Sequence, residues 1–224
     1  MKVSDIIHQV MTAIDEEYNT SAVHVGTHLS ETMVEAIKAA AAQTLRWLAL
    51  YAPVEMLDGT DETDMPGFIT SPSLTVTPSP TIGNGVVTLP GEFVRLARVK
   101  MTGWHRAVSE PIIDSSEEYL ALADETATAT ADRPVAALVL SNPKKLELWP
   151  YTQGEMQLDI VCQPQLSLTR LADSNDETHV PIPPKATMAF IYHTAFLLLL
   201  SYRDNAAAAF RDVALNSLGI NKSK

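Results

Sequence analysis

The chain has 224 residues, of which 46% are hydrophobic and 19% are charged. This length and apolar content are enough to build a buried core, so a disordered chain is not the leading expectation. The 27 acidic and 16 basic side chains give a formal net charge of −11. That charge disfavours proteins that wrap nucleic acid through phosphate contacts or bind anionic membranes.

The N-terminal sequence MKVSDIIHQV has no unbroken apolar stretch and no small-residue cleavage site, so it predicts no secretory signal. The longest apolar run, Thr187 to Leu200, is shorter than the ~20 residues that span a bilayer. Cys162 is the single cysteine, which excludes an intrachain disulfide and fits a reducing compartment. We therefore expect no membrane partner.

Two helices are predicted near the N-terminus. In the first, apolar residues recur at helical spacing at Val3, Ile6, Ile7, Val10 and Ile14. The second is expected to start at the N-cap Ser30 and to end before Pro53, because proline disfavours the α conformation of the residue before it. Its apolar face comprises Met33, Ile37, Ala41, Leu45 and Leu48.

Residues 58–84 differ in composition from both neighbouring regions. The stretches DGTDETDMPGF and TSPSLTVTPSP supply turn formers, acids and prolines but few residues to bury. This composition predicts an extended loop or arm, which in an assembling protein would lie on a neighbouring subunit.

Residues 85–181 are predicted to form an inserted β-rich region. Alternation of apolar and polar residues predicts strands around Val86 and Val99, and Gly103 predicts a hairpin turn into residues 104–108. SSEEYLALADE predicts a short helix. Three further strands, 135–140, 146–149 and 156–162, predict a three-stranded antiparallel meander.

Two helices are predicted at the C-terminal end. Pro183 and Pro184 favour the first turn of a helix that is apolar nearly all round and should therefore be central. Asn205 is the predicted N-cap of the last helix, and Gly219 its C′ residue. Its apolar face comprises Phe210, Val213, Ala214 and Leu218. The predicted fold class is α+β, in which a helical body of residues 1–57 and 182–224 carries the inserted antiparallel β-region.

No Walker loop, dinucleotide-binding glycine pattern, GxSxG, HExxH or EF-hand pattern occurs in the sequence. The turn Gly83-Asn84-Gly85 lacks the lysine and the strand-then-helix context of a phosphate loop. We therefore predict no catalytic residue and no cofactor, although a dispersed Ser-His-Asp site stays open because its members need be neighbours only in space.

Potential metal ligands lack the required patterns. The acids Asp58, Asp61, Glu62 and Asp64 have neither the glycine position nor the bidentate glutamate of a calcium loop. His24 and His28 are four residues apart but flank a glycine and have no third ligand nearby. We predict no metal site, and we interpret His193 as a core histidine with a satisfied hydrogen bond rather than a general base.

The order of these elements resembles that of the adaptor or ring proteins below the portal of short-tailed bacteriophages, including crAss-like phages. The segments that carry the resemblance are LPGEFVRLARVKMTGWHRAV, PVAALVLSNPKKLELWPYTQGEMQLDIVCQP and VPIPPKATMAFIYHTAFLLLL. They correspond to a proline-led strand, a tryptophan-containing hairpin, a strand ending in a Trp-Pro pair, a proline-containing linker and paired C-terminal helices. The long 58–80 segment departs from this pattern.

The resemblance implies a homo-oligomeric ring, twelve-fold in that family, that contacts the portal protein and other tail or connector proteins. It implies location in the virion, at the head-tail junction or in the tail, after synthesis in the host cytoplasm. Genome DNA would pass through the lumen without specific binding, because acidic walls repel phosphates.

Aromatic residues and arginine carry much of the binding energy of protein interfaces, so Trp104, Arg106, Trp149 and Tyr151 are the predicted interface residues. The alternative for them is a role in the sheet core.

Two other functions stay open at this point. A hydrolase would place His105, His179 or His193 in a deep pocket beside an acid. A cytoplasmic partner-binding module would be a stable monomer with an exposed apolar patch.

Overall fold

The computed structural model describes residues 1–18, 31–58, 68–79, 83–124, 128–163, 171, 175 and 177–220. The α-helices in these ranges are α1 (Val3–Tyr18), α2 (Glu31–Tyr51), α3 (Val54–Leu57), α4 (Glu117–Ala123), α5 (Thr187–Ser201) and α6 (Ala207–Ser217). The strands are β1 (Ile69–Thr70), β2 (Thr77–Pro78), β3 (Gly85–Thr88), β4 (Phe93–Met101), β5 (Ile112–Ile113), β6 (Val135–Val139), β7 (Lys145–Trp149) and β8 (Met156–Cys162). The fold class is α+β with helices at both chain ends, as the sequence predicts.

The chain forms two compact units. The helical unit comprises residues 1–68 and 163–224, and the β unit comprises residues 69–162. These boundaries differ from the predicted ones at 85 and 181. Residues of the predicted arm instead supply β1 and β2, which pair with β8 and β3 respectively. The described residues of the linker before Pro183 belong to the helical unit.

Helix α1 forms because its apolar stripe can be buried on one side. Val3, Ile6, Ile7, Val10 and Ile14 are all buried, as their helical spacing predicts. The chain start is held in place by backbone hydrogen bonds, since the Val3 N–H donates to the Thr178 carbonyl at 2.9 Å. Helices α1 and α2 both pack on α5.

Helix α5 is the central element of the helical unit. A 3-10 turn from Pro184 to Ala186 precedes it, and it contacts α1, α2 and α6. It contains no charged residue, which explains how it can be surrounded by other helices. The prediction of a central helix is therefore correct.

The cap of α6 differs from the prediction. Ala206, rather than Asn205, is the N-cap residue, and it makes no side-chain cap hydrogen bond. In the turn before it, Asp204 Oδ1 accepts a hydrogen bond from the Ala206 N–H at 2.8 Å. The C-terminal prediction is correct: Gly219 has φ +70°, and the Ile220 N–H donates to the Leu215 carbonyl at 3.0 Å. This is the hydrogen-bond pattern of a Schellman motif, in which glycine accommodates the left-handed conformation.

The β unit contains two sheets. One has the order β1-β8-β4, and the other has the order β2-β3-β7-β6-β5, in which only β5 and β6 are parallel. Alternate residues of the long strands point into a shared core. The buried members of this core are Val87, Leu89, Phe93, Leu96, Val99, Met101, Trp104, Ala136, Leu146, Leu148, Leu158 and Ile160.

Two predictions about strand pairing are wrong. β8 does not extend a meander from β7: it pairs with β4 and β1, while β7 pairs with β3 and β6. Residues 104–108 do not form a strand, and they contact β4 through a single bridge between Val99 and Val108. Alternation shows which face of a strand is apolar but not which strand lies at each edge.

No helix among the described residues is both long enough and apolar enough to cross a bilayer.

Candidate functional site

A row of aromatic rings follows the seam between α2 and α5 in the helical unit. The rings of Trp47 and His193 are stacked, with centroids 3.9 Å apart and planes 10° apart. Tyr51 lies 6.4 Å from Trp47, and Phe196 lies 5.5 Å from His193, centroid to centroid. We call Tyr51, Trp47, His193 and Phe196 the aromatic strip.

The aromatic strip exists because two helices each place aromatic residues at adjacent positions. Trp47 and Tyr51 are separated by four residues on α2, so they lie on the same side of that helix. His193 and Phe196 are separated by three residues on α5. The contact between α2 and α5 joins these two pairs into one row.

His193 anchors this row through a buried hydrogen-bond network. Its Nδ1 lies 3.0 Å from Thr44 Oγ1, and Thr194 Oγ1 lies 3.1 Å from the same oxygen. The Thr44 hydroxyl donates to the Ala40 carbonyl at 3.0 Å, so its oxygen is left to accept the Nδ1–H of His193. Burial lowers the pKa of His193 to about 4, so the imidazole is neutral at pH 7. The predicted core histidine with a satisfied hydrogen bond is therefore correct.

The outer part of the aromatic strip is open to solvent. Tyr51 is 60% exposed, and the apolar side chains of Leu50 and Leu200, on the same two helices, are 43% and 54% exposed. Trp47 and Phe196 are half-buried. An exposed apolar surface that contains tryptophan, tyrosine and phenylalanine has the composition of a protein interface.

The structure corrects two of the four predicted interface residues. Trp104 and Trp149 are only 2% and 5% exposed, so neither side chain is available to a partner. Trp104 belongs to the core between the sheets, and its Nε1 donates to the Pro150 carbonyl at 2.9 Å. Arg106 is exposed and Tyr151 is half-buried, and for these two the interface role stays a prediction.

A second polar group lies in the β unit and was not predicted. Glu147 Oε2 accepts hydrogen bonds from Asn84 Nδ2 at 3.0 Å and from the Tyr119 hydroxyl at 3.3 Å. Burial raises the pKa of the Glu147 carboxyl above its ordinary value, and the hydrogen bond from Tyr119 opposes that rise. This group joins β3, β7 and α4, so it stabilises the packing of α4 on the sheet.

Two buried atoms next to this group have no hydrogen-bond partner among the described residues. They are Asn84 Oδ1 and Trp149 Nε1. Extending the β3–β7 register, in which Gly85 faces Leu148, by one residue places Asn84 opposite Trp149. The Trp149 ring instead makes an edge-on contact with the Tyr119 ring at a centroid distance of 5.9 Å.

Each of the three predicted histidines has a different environment. His105 Nδ1 lies 2.5 Å from Asp132 Oδ1 on the surface, where the two side chains are 69% and 78% exposed. His179 forms a backbone bridge with Lys2 in the helical unit. His24 and His28 lie outside the described residues.

The described residues contain no group of three or more His, Cys, Asp or Glu side chains that could hold a metal ion. Of the acidic loop residues, Asp58 is exposed, while Asp61, Glu62 and Asp64 lie outside the described residues. Cys162 is half-buried 3.5 Å from Thr70 Oγ1, and burial raises the pKa of its thiol. A thiol with a raised pKa is a poor nucleophile at neutral pH.

Comparison of the sequence with protein-family models and with curated proteins gave no match.

Proposed function

We propose that this chain is a structural subunit of a bacteriophage head-to-tail connector, which assembles as a ring between the portal protein and the tail. The observation that carries the proposal is the aromatic strip, because exposed apolar surface that contains tryptophan, tyrosine and phenylalanine is typical of protein interfaces. A neighbouring copy of the chain is the partner that a ring requires.

The centre of the aromatic strip is fixed by contacts within the helical unit. Its centre is the buried, hydrogen-bonded His193, so Trp47 is held in one orientation before any partner binds. A side chain that is already ordered loses little conformational entropy when a partner covers it. This arrangement favours tight association.

The proposal also includes the passage of DNA through the ring, and the charge of the chain supports this. A formal net charge of −11 on each subunit repels phosphate groups. A channel wall with that charge would offer few sites to which DNA could bind as it passes. The resemblance of the element order to connector proteins adds to this argument.

The test is the assembly state of the purified chain, alone and mixed with the portal protein of the same phage. Mass photometry would measure the mass of the complexes, and negative-stain microscopy would show their symmetry. Rings that form alone or only on the portal would support the proposal. A chain that stays monomeric and ignores the portal would contradict it and would favour a partner-binding module that uses the same surface.

A further inference from the structure

We infer that the β unit binds one water molecule between Asn84 Oδ1 and Trp149 Nε1, on the side of the five-stranded sheet that α4 packs against. The site lies within a single unit of the chain, and it is independent of the proposed connector function. The inference starts from two buried polar atoms, one acceptor and one donor, that have no hydrogen-bond partner among the described residues.

Both side chains are almost completely buried. Asn84 is 1% exposed and Trp149 is 5% exposed. Burial of an amide oxygen or an indole N–H without a hydrogen bond is unfavourable, so such atoms in folded proteins are bonded either to protein groups or to ordered water. Each of the two atoms therefore needs a partner.

The two side chains lie on the same face of the sheet. Asn84 Nδ2 donates to Glu147 Oε2 at 3.0 Å, and the Tyr119 hydroxyl donates to the same oxygen at 3.3 Å. Glu147 and Trp149 are alternate residues of β7 and so share a face, and the Tyr119 ring contacts the Trp149 ring edge-on. Asn84, Glu147, Trp149 and Tyr119 thus form one cluster.

Asn84 and Trp149 lie directly opposite each other across β3 and β7. At the other end of this ladder the Leu89 N–H donates to the Lys144 carbonyl at 3.0 Å, so those two residues form a hydrogen-bonded pair. The two kinds of pair alternate along antiparallel strands, which makes Asn84 and Trp149 a non-hydrogen-bonded pair. The Cα atoms of such a pair are only about 4.5 Å apart, and its side chains lie closer together than those of a hydrogen-bonded pair.

Glu147 determines which way the Asn84 amide points. Glu147 Oε2 accepts hydrogen bonds from both Asn84 and Tyr119, so the donor group Nδ2 must face it. The Asn84 Oδ1 atom therefore points away from Glu147 and needs a donor. Trp149 Nε1 can only donate, so it needs an acceptor.

This pair of atoms selects a small neutral molecule that both accepts and donates hydrogen bonds. A cation would be repelled by the Trp149 N–H, and an anion by the oxygens of Asn84 and Glu147. Water accepts from Trp149 and donates to Asn84, and one molecule spans roughly 5–6 Å between the two atoms that it joins. The Glu147 carboxylate and the Tyr119 hydroxyl supply acceptors for its second hydrogen within the same cluster.

The test is an experimental structure of the full chain at a resolution that shows ordered water. Crystallography suits a monomer, and electron cryo-microscopy suits a ring. We expect one water at hydrogen-bond distance, roughly 2.7–3.2 Å, from both Asn84 Oδ1 and Trp149 Nε1. Trp104 is the internal control: it is also buried in the β unit, but its Nε1 donates to the Pro150 carbonyl at 2.9 Å, so no water is expected at that atom.

Three results from the wild-type structure would overturn the inference. They are a direct hydrogen bond between the two side chains, a protein group bonded to either atom in place of water, and the absence of ordered water from the site.

A pair of variants tests whether the water depends on Asn84. Asn84→Leu keeps the approximate size of the side chain and removes the acceptor, so its structure should lack the water. Tyr119→Phe keeps both bridged atoms and should retain it. A water that stays in place in Asn84→Leu would overturn the bridge. If Asn84→Leu does not fold, the wild-type structure decides alone.

The bridge also predicts that the two residues are coupled in solution. The loss of stability caused by Asn84→Leu should be smaller in a Trp149→Phe background, by at least about twofold in the equilibrium constant for unfolding, because no indole N–H is then left without a partner. A Trp104→Phe background is the matched control, in which the loss should equal that in the wild type. Urea denaturation measures all these losses, and equal losses in the three backgrounds would contradict the inference.

Discussion

His193 is the residue at which burial most clearly changes side-chain chemistry. Its ring is stacked on Trp47, and Nδ1 bonds to Thr44 in a setting that lowers the pKa to about 4. The folded state therefore binds fewer protons than the unfolded state below pH 6.5. A group with a lowered folded pKa contributes its full stability above the unfolded value and loses it as the pH falls.

We predict that the free energy of unfolding decreases by about 3 kcal/mol as the pH falls from 6.5 to 4 because His193 must take up a proton. His193→Gln keeps a polar side chain but removes this titration, so its stability should depend less on pH in that window. Urea denaturation at several pH values measures both. Equal pH dependence in the two proteins would contradict the prediction.

The two buried tryptophans of the β unit differ in one hydrogen bond. Trp104 Nε1 donates to the Pro150 carbonyl at 2.9 Å, while Trp149 Nε1 has no partner among the described residues. We expect Trp104→Phe to destabilise the protein by about 1 kcal/mol more than Trp149→Phe, because only the former leaves a carbonyl without its donor. Both replacements keep an aromatic ring, so each is the control for the other. Thermal denaturation would test this, and equal losses would show that the hydrogen bond contributes little.

Among the elements, the start of β3 is packed too tightly for any side chain. A Cβ atom on Gly85 would lie 2.6 Å from Val76 Cγ1 and 2.8 Å from Tyr151 Cδ2. Gly85 is therefore required where the 69–79 segment and Tyr151 meet over the end of the sheet. The sequence pattern Gly83-Asn84-Gly85 predicts a turn here but not this close approach.

We predict that Gly85→Ala costs about 1–3 kcal/mol of stability through this overlap. Adding Val76→Ala to the same variant removes the nearest atom and should recover part of the loss. Gly91→Ala is the matched control, because a Cβ there meets no atom within 4 Å. Chemical denaturation of the three variants would measure the effects. A Gly85→Ala protein as stable as Gly91→Ala would contradict the packing argument.

The predicted elements were most accurate where the signal is local. α1 and α2 follow from apolar spacing over a few turns, and α5 follows from an apolar run preceded by two prolines. Gly219 follows from the need for a left-handed residue after α6. The errors concern pairing between distant segments. β8 pairs with β4 and not with β7, and residues 69–70 and 77–78 form edge strands. Local sequence does not encode these choices, since each depends on which edges other strands leave open.

At the scale of the whole molecule, charge is the property with the clearest functional consequence. The net charge is −11, but the outer face of β4 carries two positively charged residues, Arg98 and Lys100. Arg98 is paired with Asp159 at 3.2 Å, so part of this positive charge is neutralised within the chain. The overall repulsion of phosphates should therefore dominate.

We predict that the protein does not bind duplex DNA even at low ionic strength, where any electrostatic attraction is strongest. A gel-shift or fluorescence-anisotropy titration would test this. Binding that weakens steeply as salt is added would contradict the prediction. In that case, Arg98→Glu with Lys100→Glu would show whether β4 supplies the contacts.

The sequence by itself determined the fold class, the main helices, the central position of α5 and the interpretation of His193, because these depend on composition and on spacing within one element. It did not determine the candidate surface. Trp47 and Tyr51 become an aromatic strip only when α2 packs against α5, which brings together residues about 150 positions apart. Likewise, only the tertiary structure decided that Trp104 and Trp149 are buried, since a tryptophan at a strand end has the same sequence signature in a core and at an interface. Solvent exposure belongs to the packed molecule, and no local pattern specifies it.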